Sequence, residues 1–314
     1  MANEKLDTAA ETQAEESTTT GTAEAKPDIR QLDVKDLVAL MPDSDEPGKT
    51  STFTGPSPDT AAEVFEEILS RGREGLLELV GLLRDPADPE FKDFRPEYVV
   101  HGLAIYLGTP EKAEQRRRVA EALASRLANP DVPKAVKMFL IRELQVVGAE
   151  EVAGALGRTL ADEELCESAA QALAAIGNGA AAQLRTALRA AKGKCRVTIL
   201  QNLGVVRDGL LARQVREALA DEDREARLAA AWALARMGDP ESAEAVLKAA
   251  DAAEGWERIK ATQACLLLAE NLLAAGLNDE AGRVYKHLRD SRTDPTETYV
   301  REAAERALET AAGA

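Results

Sequence analysis

The stretch from Ala220 to Leu247 reads ADEDREARLAAAWALARMGDPESAEAVL. It opens on an acidic turn and runs into an alanine-rich segment whose apolar residues (Ala226, Ala229, Ala230, Ala233, Leu234, Met237) recur at helical spacing. Gly238 stops that helix, and Asp239-Pro240 starts a second apolar-periodic helix through Val246-Leu247. One helix pair of this kind cannot cover its own apolar face, so it needs neighbours stacked on either side. The same grammar returns about every thirty residues along the chain, which is the mark of a stacked helical repeat.

Aligning the chain with itself places Leu144, Leu173, Leu203 and Leu234 in one column, 29, 30 and 31 residues apart. Four residues on stand Gly148, Gly177, Arg207 and Gly238. Glycine directly after a helix takes a left-handed cap without a Cβ clash, so the column predicts such caps at the three glycines. At Arg207 it predicts a different turn, helped by Asp208 and Gly209. Upstream of the leucines lie Val136-Lys137, Leu165-Cys166, Cys195-Arg196 and Ala226-Arg227, and Val300-Arg301 before Leu308 gives a further copy. After the caps, Val152, Leu156 and Leu160, or Val215 and Leu219, supply the second helix with its buried stripe. The fold class that follows is all-α, an α-solenoid of stacked helix pairs.

These residues resemble the short HEAT-like repeats of the phycobilisome-lyase type. The clearest match is Asp223, Ala226-Arg227, Ala230, Leu234 and Gly238-Asp239, with the stripe through Val246-Leu247. The resemblance covers residues 130–250 and reaches back, more loosely, through Tyr98–Gly108. It implies that the acidic residue and the arginine form a polar ladder between repeats while the leucine packs the core. Cys166 stands where the family has arginine, and Lys194-Cys195 lacks the upstream acid, so the ladder is expected to break there. Residues 256–289, with Ala269, Gly276, Ala281 and Tyr285, look like one tetratricopeptide-type hairpin and are taken as a divergent helical repeat. Such repeats define a shape and leave the function open.

The first 58 residues are a different material. Residues 1–60 hold thirteen Asp or Glu against five Lys or Arg, a net of −8 and half of the chain's −16. Met1 to Asp28 contains a single leucine and no aromatic residue, too little apolar surface to offset the entropy of ordering. The reading is a disordered acidic tail and a proline-rich linker over 1–58, then the solenoid over 59–314. Within the tail, Ile29 to Met41 is an apolar island fit for a short helix capping the first repeat. Val64, Phe65, Ile68 and Leu69 mark the first helix of the array, near Thr60.

Motifs for chemistry are decoys on this reading. Gly48-Lys49-Thr50 imitates the end of a phosphate-binding loop, but its first glycine is replaced by Asp43 and the neighbouring acids would repel phosphate. Gly177-Asn178-Gly179 with Ala182 imitates a dinucleotide fingerprint, yet it follows a helix where a strand is required. His101 and His287 lie far apart and neither precedes a glutamate, as the di-iron branch of HEAT-like proteins would need. Cys166, Cys195 and Cys265 form neither a disulfide framework nor a CxxC ligand pair. No cofactor, metal or catalytic residue is therefore expected. No apolar run reaches membrane length and no leader is visible, so a cytoplasmic location is the default expectation.

The function expected is a non-catalytic scaffold or adaptor that binds protein partners. The resemblance leaves open an enzyme or chromophore-lyase subunit, and, third, a nucleic-acid-binding HEAT-like protein. The acidic balance and the two tryptophans disfavour nucleic acid, and Trp232 is assigned to packing. In HEAT-like solenoids the second helices line the concave face. Here those helices carry ten basic against six acidic residues, a net of +4. Arg185, Arg189, Arg213 and Arg216 sit at the centre of that excess and are the candidate site for acidic segments, the chain's own tail included. The alternative is that all four are merely solvated.

Overall fold

A computed structural model describes residues 28–41, 58–89, 91, 93–177 and 179–312. Most of the expected tail and linker, 1–27 and 42–57 with Gly48-Lys49-Thr50, lies outside these residues, as does Asn178. Among the described residues there are sixteen α-helices and no strand. In chain order they are α1 (Val34–Ala39), α2 (Pro58–Ser70), α3 (Gly72–Gly81), α4 (Arg95–Tyr106), α5 (Ala113–Leu127), α6 (Lys134–Val147), α7 (Glu150–Thr159) and α8 (Cys166–Ile176). There follow α9 (Ala180–Leu188), α10 (Gly193–Val206), α11 (Ala212–Glu217), α12 (Arg224–Met237), α13 (Ala243–Ala252), α14 (Gly255–Ala274), α15 (Asn278–Ser291) and α16 (Thr298–Ala312).

The helices alternate between two layers. First helices α2, α4, α6, α8, α10, α12 and α14 each pack on the next, and second helices such as α3, α5, α7 and α9 do the same behind them. α16 closes the array against α15. The aligned leucines Leu144, Leu173, Leu203 and Leu234 are all fully buried, and alanines at 169, 170, 172, 226, 229 and 230 let the first helices approach closely. Further on, α14 packs on α15, and Ala269, Ala281 and Tyr285 are buried there.

The helix ends correct the sequence reading twice. Gly177 and Gly238 have positive φ, 76° and 66°, and Gly238 is left-handed as expected, but so is Arg207, at φ 55°, where a different turn was expected. The 1–4 spacing from Leu203 wins, because the Arg207 N–H still closes on the Leu203 carbonyl. Gly148, in contrast, is extended (φ −77°, ψ 159°). Its glycine is required by proximity: a Cβ there would lie 2.5 Å from the Leu144 oxygen and 2.7 Å from Val152 Cγ2.

The apolar island is folded. Asp33 caps α1 by accepting the Asp36 N–H, and Val34, Leu37, Val38 and Met41 are buried against the first repeats. Arg71 secures it by donating to the Leu32 carbonyl while held by Glu67. The stretch 1–58 is thus not one tail, since apolar burial orders 28–41 within it. No helix among the described residues is long and apolar enough to cross a membrane.

Candidate partner-binding site

Arginines hold successive repeats together in two ladders. The first runs along the starts of the first helices at 31-residue steps. Arg196 Nε donates to Asp221 Oδ2 at 2.6 Å, and Arg227 and Arg258 grip Glu257 and Glu297 with two bonds each. Paired guanidinium–carboxylate bonds of this kind are the stronger, more directional ion pairs. The ladder acid before α12 is Asp221, not Asp223 as the resemblance implied. Asp223 is spent capping α12, accepting the Glu225 N–H, and its own N–H helps hold the Asp221 carboxyl below its usual value. Burial opposes that shift, and Arg196 and Arg227 add to it. The ladder does break at Cys166. There Lys194 reaches back to Glu167, and Cys166 packs beside Cys195.

The second ladder starts from the second helices. Arg185 on α9 reaches Asp208 at 3.4 Å, and Arg216 on α11, 31 residues later, reaches Asp239 and Glu241 at 3.3 Å. Each arginine ties its helix to the turn inside the next repeat. Two of the four candidate residues therefore serve as struts between repeats.

The other two are disposed differently. Arg189 and Arg213 are exposed, form no ion pair among the described residues, and line a cleft of about 580 Å³ between α9 and α11. Leu188, Arg196, Leu210, Gln214 and Glu217 complete its walls. Leu210 stands 85% exposed beside them, and the buried Gln214 Oε1 has no hydrogen-bond partner. The cleft offers an anionic group two guanidinium ions that no carboxylate among the described residues engages, with an apolar contact alongside. Sequence reasoning missed Arg196, Leu210 and Gln214. The available signal was Asp208-Gly209-Leu210, which places a large apolar residue in a turn where the repeat grammar asks for a polar one.

The remaining candidates resolve into structure. His101 Nδ1 lies 3.0 Å from the buried Glu143, and His287 Nε2 lies 2.7 Å from Asp251. No group of three or more potential metal ligands occurs among the described residues. The three cysteines are free and buried, and burial pushes the Cys195 and Cys265 thiols up to about 12.

A two-layer array of antiparallel helix pairs tied by arginine ladders defines a helical-repeat α-solenoid. Residues 182–266 match the family model of HEAT repeats. The comparison with curated proteins gives no match. Among solved structures the chain is similar to the complex of CpcE and CpcF of phycocyanin lyase from Nostoc sp. PCC7120, at 18% identity over 86% of this chain and 98% of that one, with a TM-score of 0.34. It is also similar to human deoxyhypusine hydroxylase in complex with glycerol, at 17% identity over 82% and 98%, with a TM-score of 0.31.

Proposed function

We propose that the chain is a non-catalytic interaction module that takes acidic segments of partner proteins in the cleft between α9 and α11. The observation that carries this reading is the pairing pattern of the four arginines. Arg185 and Arg216 are ion-paired with the next repeat, whereas Arg189 and Arg213 are exposed and without an ion pair among the described residues around one cleft. A helical-repeat array supplies the rigid support that such a cleft needs. A cytoplasmic setting keeps its three thiols reduced.

The test is titration of the full chain with a synthetic glutamate-rich peptide carrying one leucine, followed by calorimetry. Binding should weaken as salt rises, since exposed charges are screened over about 8 Å at physiological ionic strength. It should be lost in the Arg189→Gln, Arg213→Gln double variant and retained in Arg158→Gln. Binding that ignores both salt and the double variant removes the cleft from the proposal. A tetrapyrrole retained through purification from the native cell would favour the chromophore-lyase reading instead.

A further inference from the structure

The chain has two tryptophans, and the structure brings both to one groove on the opposite layer from the arginine cleft. The groove, about 730 Å³, crosses the first helices α8, α10, α12 and α14. Trp232 packs so closely on α10 that a Cβ at Gly204 would stand 2.7 Å from its ring, and Trp256 lies 49% exposed at the far wall. The packing role expected for Trp232 is thus half of its surroundings; its other side faces the groove. Val205 and Leu228 add apolar surface between the rings.

Polar groups in the groove keep the repeat. Gln171, Gln201, Trp232 and Gln263 occupy one column, 30, 31 and 31 residues apart, and all line the groove. Each exposed amide carries a donor and an acceptor, the same pair that a peptide main chain presents, and Gln263 Oε1 also accepts from Lys260 Nζ at 3.4 Å. Stacked helices are about 8–10 Å apart, and an extended chain advances about 3.3 Å per residue, so one repeat spans three peptide residues. Two charged residues line the groove, Glu225 and Lys260. Glu225 is occupied by Arg224. Lys260 lies 5.9 Å from the Trp256 ring and Arg236 5.5 Å from the Trp232 ring; neither meets a carboxylate among the described residues, and Arg236 Nε is buried without a partner.

We propose that this groove is a second docking surface, which takes an extended peptide segment of a partner protein. The amides at 201 and 263 hold its main chain, the tryptophans seat a large apolar side chain, and Lys260 receives a flanking carboxylate. Charge complementarity and the three-residue register select this occupant over a helix, whose rise of about 1.5 Å per residue leaves its main chain internally bonded.

Both tryptophans line the groove, so intrinsic fluorescence of the full chain reports on it directly. The probe is an acidic peptide of about nine residues, three per repeat crossed, with phenylalanine at its centre. The expected result is a saturable, salt-sensitive change in tryptophan emission. Lys260→Gln should weaken it about 2–5-fold, as removal of one exposed charge pair does. The Gln201→Ala, Gln263→Ala double variant should weaken it further, and Arg158→Gln, outside the lining of both sites, should leave it unchanged. All these positions are exposed, and helical circular dichroism checks that each variant is folded. No emission change at millimolar peptide overturns the proposal, as does an equal response in the Lys260 and amide variants. Equal affinity for indole-3-acetate makes it a small-molecule groove. Self-association of the chain that alters emission and disappears in Val205→Glu assigns the groove to a second copy; either result also overturns it.

Discussion

Arg292, at the end of α15 and fully buried, donates from Nη1 to Asp251 Oδ1 at 2.5 Å, joining the last two full repeats. Its Nε donates to Thr262 Oγ1 at 3.2 Å, and Glu297 Oε1 stands 3.7 Å away. Asp251 also accepts from His287, so one carboxylate neutralises a buried guanidinium and braces α13 against α15. Asp251→Ala strands that charge and should cost about 3 kcal/mol, the low end for breaking a buried pair because Glu297 is near. Arg292→Met removes the buried charge itself and should cost about 1 kcal/mol or less. Urea unfolding of both variants checks the order, and a larger loss for Arg292→Met contradicts it.

The same pair predicts an acid limb to the stability curve. Burial works against ionisation of Asp251, but hydrogen bonds from Arg292 and His287 prevail and hold its carboxyl below the ordinary value of 3.8. A carboxyl depressed in the folded state contributes stability above its unfolded pKa and loses it as pH falls toward the folded one. The contribution is therefore complete above about pH 5 and declines below about pH 4. Asp251→Asn should flatten this part of the limb relative to the parent chain, leaving the parts due to Asp221, Asp162 and Asp294 in place. An unchanged slope between pH 2 and 4 would contradict the assignment.

Leu173, Leu203 and Leu234 are equivalent in the repeat and each has no exposed surface. Truncation of any one to alanine should cost about 2–5 kcal/mol, the transfer term plus the cavity left behind. Losses below half a kcal/mol at all three would show that the core can close around them, which its alanine-lined neighbours do not favour.

Arg207 and Gly148 make opposite predictions for residues in one repeat column. The Arg207 side chain makes no hydrogen bond or ion pair among the described residues and the residue sits at positive φ, so Arg207→Gly should stabilise by up to about 1 kcal/mol. Gly148→Ala should destabilise although its φ suits any residue, because the Leu144 carbonyl and Val152 leave no space for a Cβ. Thermal midpoints moving in the same direction for both would refute this reading of the two caps.

Much of the array was legible because repetition supplies its own control. Leu144, Leu173, Leu203 and Leu234 agree on a register, and burial follows from register alone. The caps were less legible, since Gly148 and Gly177 look alike in sequence and yet differ in backbone, φ −77° against 76°, and in what crowds them. The site was the least legible part. Arg185 and Arg189 are one helical turn apart, and no local pattern says that the first meets Asp208, 23 residues on, while the second meets no carboxylate among the described residues. Trp232 reads as a core residue from its apolar face. Only stacking across four helices shows that its column neighbours Gln171, Gln201 and Gln263 turn that face into a groove.

The division among the four arginines yields a prediction that separates structure from binding. Arg185 and Arg216 spend their charge on Asp208 and on Asp239 with Glu241, and all these pairs are partly solvated. Their replacement by glutamine should lower stability by about 0.2–1 kcal/mol each, the range for partly exposed pairs. Arg189 and Arg213 make no such pair, so their replacement should leave stability within about 0.5 kcal/mol of the parent. The order should reverse for an acidic peptide, which ought to lose most affinity with Arg189→Gln and Arg213→Gln. Unfolding curves and calorimetric titrations on the same four single variants give both columns of this comparison. If Arg185→Gln or Arg216→Gln abolished binding without loss of stability, the struts would be ligands and the cleft between α9 and α11 would no longer be the preferred site.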